Sequence, residues 1–350
     1  MPLYTEADAA EALSRLRPSP FGKKIPIVDG FDVEFINAGH LLGSSYAKVT
    51  RSDNSSAGIL FGGDLGRYSR PVLPDPSAPP EADILLLEST YGDRIHEPDD
   101  RGARLASIVK DTVERGGKLI IPAFAIGRAE EVLYWIRKLE DEGTIPKLPV
   151  FLDSPMAIRA TELYRKYGDC FQRTATGGRC EAREPRRLEF CRTSEESMAL
   201  NERRGVVILS SSGMCEGGRI LHHLRHNLWR ASTDVVMVGF QARGTLGRAL
   251  VEGARNVRIF GEPVAVKARV VTLGGFSAHA GQTELVEWVA PMVRDGARVV
   301  LVHGESEKRA VLAAKLGERC GVEAWQPLRG DRVVLELRGE AARFVRAVAE

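Results

Sequence analysis

The chain contains no apolar run of roughly eighteen residues, so no membrane-spanning helix is expected. Met1–Pro20 lacks the basic start and apolar stretch of a secretory signal. Cysteine is scarce and odd in number: Cys170, Cys180, Cys191, Cys215 and Cys320 form no C-x-x-C pair, which argues against a disulfide framework or a zinc knuckle. A cytoplasmic protein with reduced thiols is the expectation. A net charge of +2 offers no bulk attraction to nucleic acid, so an acidic partner has to be met by local patches. None of the seven histidines stands in an H-x-H pair. What remains is an ordinary globular composition, 43% hydrophobic and 27% charged, in a chain of 350 residues that can bury two cores.

Early in the chain the pattern is short strands. Thr5–Leu16 is expected to be a helix capped by Thr5. Phe31–Ile36, Tyr46–Thr50, Gly58–Phe61 and Asp83–Leu87 read as strands, the last continuously apolar. Three of these runs lead to a titratable side chain beside glycine or serine: His40 after Asn37-Ala38-Gly39, Asp64 after Gly62-Gly63, and Glu88 before Ser89. From about Arg101 strand and helix alternate. Lys118–Ile121, Val150–Leu152, Val206–Leu209 and Asp234–Val238 are strands of a four-strand parallel unit, with helices at Arg128–Glu140, Met156–Tyr167, Arg219–Trp229 and Leu246–Gly253. Gly168–Leu200 is polar and weakly patterned and reads as a surface excursion. The simplest architecture is a parallel α/β module inserted in a first domain whose strands lie on both sides of it.

The closing region carries two histidines. Arg269–Leu273 is a β-branched run that breaks at Gly274-Gly275 before His279, and Val299–Val302 is a strand ending at His303. Thr283–Arg294 is a helix between them that Pro291 should kink or shorten. Two strands joined by a helix are most simply parallel neighbours, which would place both histidines beyond the same sheet edge. That segment reads as half of an active site. His40, Asp64 and His303 are metal-ligand types suited to zinc, with manganese or iron as alternatives. Taken one at a time, each has an ordinary structural role, as a hydrogen-bonded histidine or a turn aspartate. Glu88 reads as an orienting or acid–base carboxylate, or as a simple turn residue.

The inserted module has its own repeated feature. Its strands exit into loops holding Phe124–Arg128, Asp153–Met156, Ser210–Met214 and Gln241–Thr245, each opening a helix. Free N–H groups, small side chains and nearby arginines favour phosphate, which nominates Ser154, Ser212, Gly213, Arg243, Arg128 and, from the His279 loop, Ser277. The competing reading is that glycine and serine start helices well. His222, His223 and His226 read as a solvated helix face and His96 as a loop residue.

These motifs, NAGHLLGSS (Asn37–Ser45), GGDLGR (Gly62–Arg67), LLLESTYGDR (Leu85–Arg94), PAFAIGRAEE (Pro122–Glu131), LDSPMA (Leu152–Ala157), SSSGMCEGGR (Ser210–Arg219), GFQARGTLGR (Gly239–Arg248), GGFSAHAGQ (Gly274–Gln282) and LVHGE (Leu301–Glu305), resemble in order and identity the β-CASP branch of the metallo-β-lactamase fold family. That branch contains RNA-processing nucleases, among them bacterial exonucleases and the endonuclease subunit of the eukaryotic pre-mRNA cleavage and polyadenylation machinery. The resemblance implies a metallo-β-lactamase αββα-type fold, incomplete at its start, with an inserted parallel α/β β-CASP domain. Residues 1–100 and 256–350 would form the first domain and residues 101–255 the insert. It implies His40 and His303 as zinc ligands and Asp64 as the carboxylate bridging two Zn2+ ions. His279 would be the general acid, oriented by Glu88. Single-stranded RNA is the implied substrate, and a homodimer an implied assembly.

One departure matters. The family's main metal motif, H-x-H-x-D-H, lies ahead of the His40 motif, and this chain has no such sequence. It therefore resembles a member without the first part of its metallo-β-lactamase domain. A non-catalytic RNA-binding or partner-binding chain is the alternative, and a nuclease acting on DNA is a third reading. Zinc held by His40, Asp64 and His303 falls short of two ordinary coordination shells. The 350-residue chain is expected to bind zinc weakly and to hydrolyse RNA poorly. Zinc titration against a chromophoric chelator checks this, and tight stoichiometric zinc with efficient cleavage would refute it.

Overall fold

The computed structural model describes residues 3–53, 58–96, 100, 102–168, 184–294, 296–338 and 341–347. Helix α1 (Glu6–Ser14) begins with a reciprocal capping box: Asp8 N–H donates to the Thr5 hydroxyl, and Thr5 N–H to the Asp8 carboxylate. The helix buries none of its side chains. Strands β1 (Lys24–Val28), β2 (Phe31–Asn37), β3 (Ser45–Arg51) and β4 (Gly58–Phe61) pair antiparallel in succession, and β5 (Ile84–Glu88) joins β4 in parallel.

The chain then enters a second unit: α2 (Ala103–Glu114), β6 (Lys118–Pro122), α3 (Arg128–Asp141), β7 (Val150–Asp153) and α4 (Pro155–Lys166). It continues through β8 (Leu188–Phe190), α5 (Ser194–Ala199), β9 (Val206–Ser210), α6 (Arg219–Asn227), β10 (Thr233–Met237) and α7 (Leu246–Val251). A hairpin of β11 (Asn256–Ile259) and β12 (Glu262–Ala265) leads to β13 (Arg269–Thr272). The return to the first unit is α8 (Gln282–Arg294), β14 (Arg298–Val302) and α9 (Ser306–Cys320), followed by a hairpin of β15 (Arg332–Arg338) and β16 (Ala341–Ala347).

The β-branched run at Arg269 does not neighbour β14. β13 pairs in parallel with β10, whereas β14 pairs in parallel with β5, so the expected two-strand unit is divided between two sheets. Short β-branched segments carry no partner information, and the β11–β12 hairpin delivers β13 to the edge of the second sheet. That sheet has the order β13-β10-β6-β9-β7-β8, six parallel strands where four were expected. β8 and α5 lie within the segment read as a surface excursion, of which residues 169–183 are outside the described residues. The helix over 282–294 runs through Pro291 and is not shortened by it.

Helices cover both faces of the parallel sheet. Leu105, Val109, Val132, Leu133 and Ile158 pack on one face, and Ile220, Leu224 and Leu250 on the other. The mixed sheet, β1-β2-β3-β4-β5-β14, is covered on one face by α8 and α9 through Leu285, Val289, Met292, Leu312 and Leu316. A smaller cluster of Ile84, Val300 and Trp325 lies among its other buried residues. No helix among the described residues is long and apolar enough to cross a membrane.

Buried charge ties the two units together. Arg70 of the first unit and Arg128 of α3 both ion-pair with Glu131, and all three are buried. Leu42 N–H donates to the Tyr164 hydroxyl on α4 at 3.1 Å. Beside this triad, Glu130 accepts from the Thr161 hydroxyl at 3.0 Å, while its Oε2 has no partner among the described residues. Burial pushes the Glu130 carboxyl up to about 7. A folded-state pKa above the unfolded value gives stability that is full below about pH 4.5 and is lost as pH rises through about 7. Glu130→Gln should remove that dependence. Relative to the variant, the wild-type chain should lose at most about 3 kcal/mol of unfolding free energy between those limits, measured by urea titration at a series of pH values.

Candidate active site

Three loops from the first unit and one from beyond β13 converge. Gly66 N–H donates to Ala38 O at 2.8 Å, pressing the Asp64 loop against the His40 loop. A Cβ on Gly66 would lie 2.2 Å from the Gly39 carbonyl, so only glycine permits this approach. The His279 loop is stitched to the same segment: Arg67 N–H donates to Ala278 O and Ala280 N–H to Leu65 O, around a bridge pairing Gly66 with His279. Glu88 and Val302 are register partners on the parallel strands β5 and β14, which sets His303 just past the carboxyl end beside Glu88. His303 adopts φ 48, a left-handed conformation uncommon for a residue with a Cβ. Its carbonyl is held by Ser89 N–H at 3.2 Å.

The side chains meet accordingly. Glu88 is fully buried and accepts from Leu65 N–H at 3.0 Å and Thr90 N–H at 3.2 Å. His279 Nδ1 lies 2.9 and 3.1 Å from the two Glu88 oxygens. A carboxylate accepts, so Nδ1 supplies the hydrogen of this bond. The His40 and His279 rings are 4.4 Å apart, and those of His279 and His303 6.1 Å. Asp64 sits between two imidazoles: His303 Nδ1 is 3.1 Å from Oδ1 and His40 Nε2 is 3.8 Å from Oδ2. Burial first, then the neighbouring His279, lowers the His40 imidazole to about 4 and keeps it neutral. Burial raises the Asp64 carboxyl, but the His303 hydrogen bond and the surrounding imidazoles outweigh it and hold the group down at about 2. The hydrogen bond to Asp64 raises His303.

A neutral imidazole and an ionised carboxylate are the forms that bind zinc. The two oxygens of Asp64 face different histidines, and 3.8 Å between His40 Nε2 and Asp64 Oδ2 is too long for a hydrogen bond. The donor types around this carboxylate therefore suit zinc. Ligand-type groups within 4.8 Å of one another also unite His40, Asp64 and His279, and Asp64, Glu88 and His303.

The cluster opens into a cleft of about 670 Å³ between the two units, lined from the parallel sheet by Phe124, Ile126, Arg128, Met214 and Phe240. The strand order reverses around β6, so the cleft lies where a doubly wound sheet places its ligands. Of the residues nominated for phosphate, Ser277 and Arg128 line the cleft. Arg128 is buried against Glu131, and Arg243 pairs with Glu307. The Ser154 hydroxyl accepts from Ala157 N–H as the cap of α4, and that of Ser212 from Glu216 N–H. Gly213 gives its carbonyl to the Gln241 amide. Sequence reasoning passed over Lys308, whose ammonium lies 4.0 Å above the Phe240 ring at the cleft wall. His96, read as a loop residue, has its Nε2 2.9 Å from the His279 carbonyl. The i, i+4 spacing of Lys308 from Gly304, on the helix after the LVHGE motif, was the available signal for the first.

Residues 129–250 match the Beta-Casp domain, and residues 263–327 match the Zn-dependent metallo-hydrolase RNA specificity domain. The chain is 41% identical over 345 residues to a ribonuclease of Thermus thermophilus, covering 97% of this chain and 75% of the relative. It belongs to the β-CASP family of metallo-β-lactamase-fold nucleases. It is also 31% identical over 333 residues to an RNase J-like protein of Methanocaldococcus jannaschii, covering 93% of this chain and 76% of that one. The transcription termination factor FttA of Pyrococcus horikoshii is 29% identical over 348 residues, covering 95% of this chain and 53% of its own length. The β-CASP match confirms an α/β fold with an inserted parallel domain, and the metallo-hydrolase match supports a metal cofactor.

The β-CASP sheet corrects one expectation. His223 is not on a solvated face: it is 1% exposed, with Nε2 2.6 Å from Asp153 Oδ2. Asp153 also accepts from Arg219 at 2.7 Å and from the Ser197 hydroxyl. The helical spacing of the histidines could not reveal a buried acid arriving from β7. Removing that charge leaves Arg219 without its counter-ion and weakens the bond to His223 Nε2. Asp153→Asn should lower stability by about 3–5 kcal/mol, read from the urea midpoint.

Proposed function

We propose that the chain contributes the acid–base and part of the metal-binding machinery of a zinc-dependent ribonuclease that hydrolyses phosphodiester bonds of single-stranded RNA. The observation that carries this reading is the Glu88–His279 pair at 2.9 Å, set beside Asp64 and its two flanking histidines at the mouth of the interdomain cleft. The names of the Thermus thermophilus and Methanocaldococcus jannaschii relatives and of the RNA specificity domain support RNA as the substrate.

His40, Asp64 and His303 are the residues that would hold metal. Zinc bound there would supply Lewis-acid polarisation of the phosphoryl oxygen and a water of lowered pKa. The chain's own groups account for orientation and proton transfer. Glu88, fixed by two backbone N–H groups, holds His279 by Nδ1 and leaves the other ring nitrogen for a substrate oxygen. In its imidazolium form, with Nδ1–H kept on Glu88, His279 would give the Nε2 proton to the leaving ribose oxygen and return to the neutral ring. His96 holds the carbonyl of the same residue, so both the backbone and the ring of His279 are fixed before substrate arrives. The cleft wall offers Phe124, Ile126 and Phe240 to bases and Lys308 to a phosphate.

His279→Ala should lower single-turnover RNA hydrolysis by roughly 10²- to 10⁴-fold while leaving RNA affinity nearly unchanged. Glu88→Gln, which keeps the shape and loses the charge, should reproduce most of that loss and shift the pH–rate profile. Cleavage by His279→Ala at the wild-type rate would remove the assignment. Cleavage of matched RNA and DNA oligonucleotides tests the substrate.

A further inference from the structure

The β-CASP sheet has a second recess, at the edge opposite the cleft. The cleft is built from loops after β6, β9 and β10, whereas this recess is built where those strands begin, at Lys118, just before Val206, and at Thr233. Five-residue strands separate the two by about 16 Å at a rise of roughly 3.3 Å per residue. The recess encloses about 420 Å³, within the range of small-ligand sites.

Its lining is strongly one-signed. Arg203, Arg204, Arg230 and Lys267 all border it, and no acidic side chain does among the described residues. None of these four cations forms an ion pair among the described residues, in contrast to Arg128 in the cleft and to Arg243, which pairs with Glu307. Lys118, also in the lining, is buried and donates to the carbonyls of Leu200 and Asn201 at 2.6 and 3.0 Å, so it adds charge rather than a free hand. In a chain of net charge +2, such a concentration is not a sampling of the surface average.

Two features identify what the cations would face. Trp229 is 51% exposed at the rim, with the Arg230 guanidinium 4.8 Å from one ring face. An exposed indole braced by arginine is a platform for a nucleobase on its other face. Asn227 lines the recess as well. It is fully buried and donates through Nδ2 to His223 O at 2.8 Å, while Oδ1 is buried with no partner among the described residues. An unpaired carbonyl in a basic pocket calls for a ligand N–H or O–H, which a backbone phosphodiester lacks and a nucleotide's base or ribose has.

We propose that this recess is a second RNA-binding site, taking a backbone phosphate between the arginines and Lys267 and stacking a base on Trp229. The choice of RNA rests on the ribonuclease reading of the cleft. A long strand engaging both edges of the sheet gains affinity by linkage, whereas a strand short enough for the cleft alone does not.

The test is fluorescence anisotropy of the full chain, in chelator to prevent cleavage, with labelled oligouridylates of about 6 and about 24 nucleotides. Trp229→Ala and the double variant Arg204→Ala/Lys267→Ala should each weaken binding of the longer RNA by about tenfold and leave the shorter unchanged. The double variant should also reduce the salt slope for the longer RNA by about 1.4. Arg258→Ala, which removes an exposed arginine outside the recess, should change neither. Unchanged affinity for the longer RNA in both variants, or an equal fall for both lengths, overturns the second site and leaves the cleft reading intact. A wild-type chain that binds neither oligonucleotide overturns both.

Discussion

A carboxylate with no exposure to solvent has to be met by donors or it costs several kcal/mol. Glu88 satisfies that requirement with Leu65 N–H, Thr90 N–H and His279 Nδ1, three groups from three segments. Two of those segments carry Asp64 and the strand end beside His303. The third crosses from the edge of the parallel sheet. Satisfying one buried side chain therefore fixes the relative positions of His279 and Asp64. The backbone bonds between Gly66 and the His279 loop add a second tie at the same point.

The same logic governs the junction of the two units. Glu131 is shared by Arg70 and Arg128, one from each unit, and the Tyr164 hydroxyl accepts from Leu42 N–H. Desolvated ion pairs of this kind contribute little net stability, but removing one member is costly, so they favour a single docking geometry. The cleft between the units inherits its width from them. This explains why an arginine at a helix start, which in isolation suggests phosphate, here contributes to the architecture. At the cleft wall Lys308 is paired with Glu305 at 3.2 Å, and the arginines without an ion pair among the described residues lie at the far edge of the sheet.

Within the parallel sheet, the strand ends are specialised by what surrounds them. Asp153 at the end of β7 turns inward to His223, Arg219 and Ser197. Ser154 caps α4, and Ser212 closes a turn. Loops that look alike in composition thus divide into those that satisfy their own backbone and those that face the cleft. Composition records the small residues but not the partners they find.

The sequence alone determined the strands that precede His40, Asp64 and Glu88, because alternation and glycine-bounded apolar runs are local properties. It also nominated the side chains that meet there, since His40, Asp64, Glu88, His279 and His303 stand in recognisable motifs. Tertiary structure alone decided the sheet to which each strand belongs. Arg269–Thr272 and Arg298–Val302 are equally β-branched, yet hydrogen-bond to different sheets, because pairing depends on partners far away in the chain. It alone decided that His223 is buried, since that outcome depends on an acid brought in from another segment. It also gathered cations from before β9, after α6 and after β12 into one recess, which no local window of the sequence contains.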